Sequence, residues 1–186
     1  MDKETKEYRD KNGLHIQSIT TFDVNNGLGF RATVWVSGCK HHCPKCQNEW
    51  LQNYKLGKPL SEVKDKIFEV LEDDNIDGIT FSGGDPLDQN TIAWEQLESL
   101  LKEIKEKFPN KDIWVYTGNY FEDMVNHNFM GSIFKYIDVL VDGLYENNKR
   151  DITLPYRGSS NQRIIDVQSS IKAKKTITVS DETFKK

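Results

Sequence analysis

The chain has 186 residues, of which 37% are hydrophobic and 29% are charged, a balance that is typical of a folded globular protein rather than a disordered one. A net charge of −4 gives no domain-wide basic face, so we expect no nucleic-acid partner. The sequence lacks the long apolar run of a membrane span, and the charged segment at 1–13 lacks the apolar stretch of a signal peptide. We therefore expect a cytoplasmic protein that does not bind membranes.

Predicted strands and helices alternate along most of the chain. Residues 14–22 and 31–37 are β-branched and apolar, as strands are. A helix is predicted at 61–73, the strand GITFSGG follows it, and a second helix is predicted at 94–108, because apolar residues recur there at helical spacing. The strands DIWVYTG, YIDVLVDG and QRIIDV complete the order. This alternation predicts an α/β fold with a mostly parallel sheet, which is either open or closed into part of a barrel.

The length of the chain indicates one domain, which we assign to residues 1–186. The ends at 1–13 and 170–186 are polar and carry no apolar period. We therefore expect them to be extensions of that domain and to be mostly solvated.

Four predicted strands end at glycine, in VSGC, FSGG, YTGN and VDGL. The carboxyl ends of parallel strands form the edge at which α/β proteins bind ligands, and we call this edge the rim. Glycine lets the backbone approach a ligand closely, although any one of these glycines would also serve as an ordinary turn residue. Because a cysteine cluster follows the first of the four strands, the sequence predicts one shared site at the rim.

All three cysteines of the chain lie in one short segment, with the spacing C-x3-C-x2-C (Cys39, Cys43 and Cys46). We call residues 39–46 the cysteine loop. Cytosolic cysteines clustered in this way serve metal binding or catalysis more often than disulfides. Zinc would need a fourth ligand, for which His41 or His42 is available. A [4Fe–4S] cluster on three thiolates would leave one iron open to another ligand. The spacing and the absence of a fourth cysteine favour the iron–sulfur cluster, and zinc stays an alternative.

The cysteine loop resembles that of the radical S-adenosylmethionine (SAM) enzymes, which follows the first strand of their barrel. NGLGFRATVWVSGCKHHCPKCQN, FSGGDPL, DIWVYTGNY, VLVDG and YRGSSNQRIID occur in the order, and at about the spacing, of the activating proteins of anaerobic (class III) ribonucleoside-triphosphate reductases. These blocks run from residue 26 to residue 166, which is most of the chain. The resemblance implies a partial, open (β/α) barrel of the radical SAM type.

The resemblance also implies roles for single residues. The three cysteines would ligate the [4Fe–4S] cluster, and the methionine part of SAM would chelate the open iron. The residues expected to contact SAM lie at the rim, and they are Gly83, Gly84, Asp85, Thr117 and Asp142. The first three match the GGE motif of the family, with a shorter acid that favours a backbone contact. Thr117 and Asp142 are alternatively turn-capping residues. Lys45 stands where the superfamily often has an aromatic residue.

The implied activity is that of an oxidoreductase, a radical SAM enzyme that cleaves SAM reductively and forms a glycyl radical on the anaerobic reductase. The expected partners are the glycyl radical subunit of that reductase and a low-potential electron donor such as flavodoxin. The block around Arg157 is the most distinctive one, so we expect it to contribute to activation of the reductase. Two other functions stay open. One is a radical SAM enzyme for a small molecule, such as a deazapurine-type synthase or another maturase, and the other is a zinc-binding module without activity.

Overall fold

The computed structural model of this protein describes residues 2–127 and 131–184. The strands in this part of the chain are β1 (His15–Asp23), β2 (Arg31–Val36), β3 (Lys58–Pro59), β4 (Gly78–Gly83), β5 (Asp112–Tyr116), β6 (Val139–Asp142) and β7 (Arg163–Asp166). They form one sheet in the order β3-β1-β2-β4-β5-β6-β7. The central strands β2, β4, β5 and β6 are parallel, and β1, β3 and β7 add antiparallel edges. The predicted α/β fold with a mostly parallel sheet is confirmed, and of the two alternatives, open or partly closed, the sheet is open.

The helices of the described residues are α1 (Lys3–Lys11), α2 (Leu60–Leu71), α3 (Thr91–Lys107), α4 (Phe121–Val125) and α5 (Val167–Ala173). The two predicted helices are confirmed as α2 and α3. Asn90 caps α3, because its side chain accepts a hydrogen bond from the Ala93 N–H at 2.8 Å. The sequence did not predict α1, which buries no residue, or the short α4 and α5. Within the described ranges, no helix combines the length and apolar character that a membrane crossing requires.

The two faces of the sheet are covered differently. Alternate strand residues and the apolar sides of α2 and α3 form the main hydrophobic core on the first face. The second face carries a smaller aromatic cluster, in which Trp114 of β5 packs with Tyr156 and Phe184. Phe184 belongs to the C-terminal segment (residues 176–184). A loop and this segment therefore cover the second face where the first face has helices.

Contacts with the rest of the protein anchor the C-terminal segment, for which the sequence predicts a mostly solvated extension. The Val179 N–H donates to the Ile164 carbonyl at 2.7 Å. The guanidinium of Arg157 donates two hydrogen bonds of 2.6 Å to the carboxylate of Asp181. The polar composition of the segment concealed these contacts, because they depend on isolated residues rather than on a periodic pattern.

Arg31, at the start of β2, is fully buried and joins the first residues of three strands. Its guanidinium donates to Thr80 Oγ1 at 2.7 Å and to the Ile79 carbonyl at 2.9 Å, and it pairs with the carboxylate of Asp112 at 2.7 Å. A Cβ at the intervening Gly78 would lie 2.8 Å from the guanidinium, so the glycine leaves room for the Arg31 side chain to extend to β5. The strands are thereby fixed to one another at the end of the sheet opposite the rim.

We expect Arg31→Met to lower the free energy of unfolding by about 2–4 kcal/mol, because it leaves buried carbonyl groups without a donor. Urea unfolding followed by circular dichroism measures the change. Lys66→Met is the matched control, since the exposed Lys66–Glu69 ion pair is expected to contribute less than about 0.5 kcal/mol. A loss below about 1 kcal/mol in Arg31→Met would contradict a stabilising role for this contact.

Candidate functional site

The cysteine loop leaves β2 through Gly38, whose backbone is held on both sides. Its φ of +97° lies in the region that favours glycine, and a Cβ there would lie 2.2 Å from the ring of Tyr54. The Gly38 N–H donates to the Leu51 carbonyl at 2.7 Å, and the Gly38 carbonyl accepts from the Asp85 N–H at 2.9 Å. The loop therefore begins from a backbone position that is fixed to the end of β4.

The three thiols of the cysteine loop are free and partly buried. Burial raises the pKa of the Cys39 thiol to about 12 and also raises the pKa of Cys43. The neighbouring backbone of His41 and Tyr145 opposes this rise in the pKa of the two thiols. Cysteine thiolates are the ligands that iron–sulfur clusters use, and a bound metal replaces the thiol proton, so three free thiols on one short loop are a suitable donor set. The residues present thus fit a cluster.

Asp85, directly after β4, has a buried side chain that accepts hydrogen bonds from several rim segments. Its Oδ2 accepts from Thr117 Oγ1 at 3.0 Å and from the Gly118 N–H at 2.8 Å, and it lies 2.9 Å from Nε2 of His41. Its Oδ1 accepts from the Leu87 N–H at 2.8 Å. The hydrogen bond with Asp85 raises the pKa of His41. The carboxylate is thus engaged by protein donors.

The predicted SAM contacts lie in two different environments. Gly83 and Gly84 are partly exposed at the end of β4. Thr117 and Asp142 are 5% and 0% exposed, and Asp142 accepts hydrogen bonds of 2.9 and 2.5 Å from Arg163. The structure brings the two glycines to the surface of the rim. It places the side chains of Thr117 and Asp142 behind that surface, with Asp85.

Gly84 lies against the start of the cysteine loop. A Cβ at Gly84 would lie 2.4 Å from the Gly38 carbonyl oxygen, and the Gly84 N–H donates to the Val36 carbonyl at 2.7 Å. Gly84 therefore permits a close approach between the ends of β2 and β4, which both belong to the protein. A larger residue at position 84 would therefore displace the loop that carries the cysteines.

A cavity of about 480 Å³ lies beside the cysteine loop on the second face of the sheet. Cys46 of the cysteine loop and Ser82 of β4 both line it. Tyrosine rings from three segments contribute further walls, and they are Tyr116, Tyr145 and Tyr156. The volume is within the range of roughly 300–1,000 Å³ found for small-molecule sites. No common motif joins these tyrosines, so the sequence pattern does not indicate them.

A second set of donor atoms overlaps the cysteine loop. Sγ of Cys39, a ring nitrogen of His41 and a carboxylate oxygen of Asp88 lie within 4.8 Å of one another. Asp88 also accepts from the Lys40 backbone N–H at 2.9 Å and forms an ion pair with the Lys40 ammonium group. Mixed sulfur, nitrogen and oxygen donors suit zinc, so the zinc alternative has a geometric basis. Such a site would use one of the three thiols.

Comparisons with known proteins cover most of the chain. Residues 25–165 match a family model described as a 4Fe-4S single cluster domain. The chain is 39% identical over 145 residues to the anaerobic ribonucleoside-triphosphate reductase-activating protein of Pasteurella multocida, which is 76% of this chain and 90% of that protein. Proteins of the same name from Escherichia coli (strain K12) and Enterobacteria phage T4 are 41% and 39% identical, over 75% and 81% of this chain and 90% and 93% of theirs. The chain therefore belongs to the family of anaerobic ribonucleoside-triphosphate reductase-activating proteins.

Proposed function

We propose that this protein is a radical SAM activase that generates a glycyl radical on an anaerobic ribonucleoside-triphosphate reductase. The observation that carries the proposal is the position of the three free thiols, on a loop that is fixed to the end of β4 and borders a cavity of about 480 Å³. Membership in the activating-protein family and the match to an iron–sulfur domain support the same conclusion.

Cys39, Cys43 and Cys46 would hold a [4Fe–4S] cluster, and the cavity beside Cys46 would receive SAM. The chemistry that the cluster would supply there is transfer of one electron into bound SAM, which would break a sulfur–carbon bond to give methionine and a 5′-deoxyadenosyl radical able to take a hydrogen atom from a glycine α-carbon of the reductase. A low-potential donor such as flavodoxin would return the electron. The part of the protein itself would be to hold the cysteine loop and the cavity next to each other, so that the two reactants are oriented.

The SAM site would combine backbone groups at Gly83 and Gly84 with the cavity wall. Asp85, Thr117 and Asp142 would support that backbone from behind, because donors within the protein already engage them. The cavity tyrosines offer flat rings for the adenine of SAM, which compensates for Lys45 in the place of an aromatic residue.

The architecture proposed for this activity is a partial, open barrel formed by one radical SAM domain over residues 1–186, with extensions at 1–13 and 170–186. Helices on one face of the sheet and a cavity on the other support this architecture. The free thiols suit a reducing compartment, so we place the activity in the cytoplasm.

Reconstitution under anaerobic conditions is expected to load about four irons per chain, and Cys39→Ala, Cys43→Ala and Cys46→Ala are each expected to lose most of that iron. Iron and sulfide analysis with an absorption spectrum before and after dithionite measures this. Asp88→Asn is the discriminating variant, because it removes a donor of the alternative zinc set. If the protein instead contains stoichiometric zinc, and Asp88→Asn loses it, the protein is a zinc-binding module and not an activase.

With SAM and a reductant, the protein is expected to place a glycyl radical on an anaerobic ribonucleotide reductase from the same source. Electron paramagnetic resonance (EPR) would show a glycine-centred doublet on the reductase, and a pyruvate formate-lyase-type protein serves as the control that stays silent. If SAM is cleaved without any radical on the reductase, a small-molecule radical SAM reaction or another maturase replaces this assignment.

Arg157→Ala is expected to slow radical formation on the reductase several-fold, because its ion pair with Asp181 holds the segment that lines the cavity. Asp181→Ala is expected to cause a similar loss, and the double variant no further loss, since the two residues act as one unit. Lys149→Ala, which breaks the exposed ion pair with Glu146, is the control. A loss in Arg157→Ala alone would mean that Arg157 acts directly, either on SAM in the cavity that it lines or on the reductase.

A further inference from the structure

The two histidines of the cysteine loop have different surroundings. His41 lies between Cys39 and Cys43, and its Nε2 is 2.9 Å from Oδ2 of Asp85. The ring of His42 is exposed, and its Nδ1 lies 2.8 Å from Oε1 of Gln52. One histidine therefore faces the rim of the sheet, and its neighbour faces solvent.

His41 is fitted closely against the end of β5. A Cβ at Gly118 would lie 2.7 Å from Cδ2 and 2.8 Å from Nε2 of the His41 ring, so the absence of a side chain at Gly118 provides the space that the ring occupies. Oδ2 of Asp85 accepts hydrogen bonds from the Gly118 N–H and from Thr117 Oγ1, at 2.8 and 3.0 Å. The ring and the end of β5 thus share one carboxylate oxygen.

The direction of the His41–Asp85 hydrogen bond follows from the chemistry of the partners. An ionised carboxylate only accepts hydrogen bonds, so Nε2 of His41 carries the proton and donates it. A hydrogen bond to a charged, buried acceptor is among the stronger ones in proteins. Asp85 is 1% exposed, so water does not readily replace the donor when the histidine is removed.

The geometry points to His41 as a positioning residue, which fixes the cysteine loop relative to Gly83 and Gly84 through the carboxylate of Asp85. This inference rests on the proposed function. It assigns Asp85 to holding the loop, and it assigns His41 to neither the iron nor the substrate. Without the hydrogen bond, the thiols would still be present, but the loop would no longer be held at one distance from the strand end that receives SAM. SAM binding is therefore affected, while cluster assembly is retained.

The test compares His41→Ala, His41→Gln and His42→Ala as reconstituted holoproteins. Iron content, the thermal midpoint, and the EPR spectrum of the reduced cluster during titration with SAM are measured. His41→Ala is expected to keep about four irons but to bind SAM about tenfold more weakly, with a changed spectrum in the presence of SAM. Glutamine carries an amide N–H at similar reach, so His41→Gln is expected to recover most of the affinity. His42→Ala is expected to match the wild type.

A His41→Ala variant with wild-type SAM affinity and spectrum would overturn the inference. Loss of iron in both His41→Ala and His41→Gln would also overturn it, because the imidazole would then be a metal ligand. If His41→Ala lowers the thermal midpoint but leaves the SAM affinity unchanged, His41 only stabilises the fold and is not a positioning residue. If the wild type itself binds no iron or no SAM, the proposed function fails first and this inference fails with it.

Discussion

The buried carboxylate of Asp85 is the interaction on which the arrangement of the rim depends. It accepts hydrogen bonds from the end of β5, from the turn after β4 and from His41 in the cysteine loop. The cysteine loop, the end of β5 and the turn that carries Asp85 itself therefore meet at its two carboxylate oxygens. Because a buried acceptor without donors is costly, these segments stabilise one another's positions. The site is consequently a property of the assembled rim and not of the cysteine loop alone.

The uneven covering of the sheet explains where a ligand is able to bind. Parallel strands are usually covered by helices on both faces. Here α2 and α3 bury the first face, while the second face retains a cavity bordered by Cys46 and by tyrosine side chains. Arg31 fixes the strands at the opposite end, so the stabilising contacts and the candidate site are separated along the strands. This separation lets polar groups and glycines occupy the rim without weakening the core.

Sequence patterns predicted those features that depend on neighbours along the chain. The period of apolar residues located α2, α3 and the main strands, and the spacing of the thiols located the cysteine loop. The contact between His41 and Asp85 joins residues 44 positions apart, and no local pattern indicates it. The same holds for Phe184, a single aromatic residue in a polar segment that packs on Trp114. The burial of Asp142 could not be predicted from the sequence either, because its hydrogen-bond partner Arg163 lies on an antiparallel edge strand.

The cysteine loop and the C-terminal part of the cavity wall come from different parts of the chain. They are therefore synthesised at different times. The cysteine loop and its anchors end at Gly118, whereas the cavity is completed by residues from Tyr145 to Phe184. A ribosome adds residues at roughly 5–20 per second, so several seconds separate the two groups. The thiols and the groups that position them thus leave the ribosome before the C-terminal part of the cavity wall, which Cys46 also lines. Nascent chains consequently pass through a stage in which the thiols are accessible to metals and oxidants.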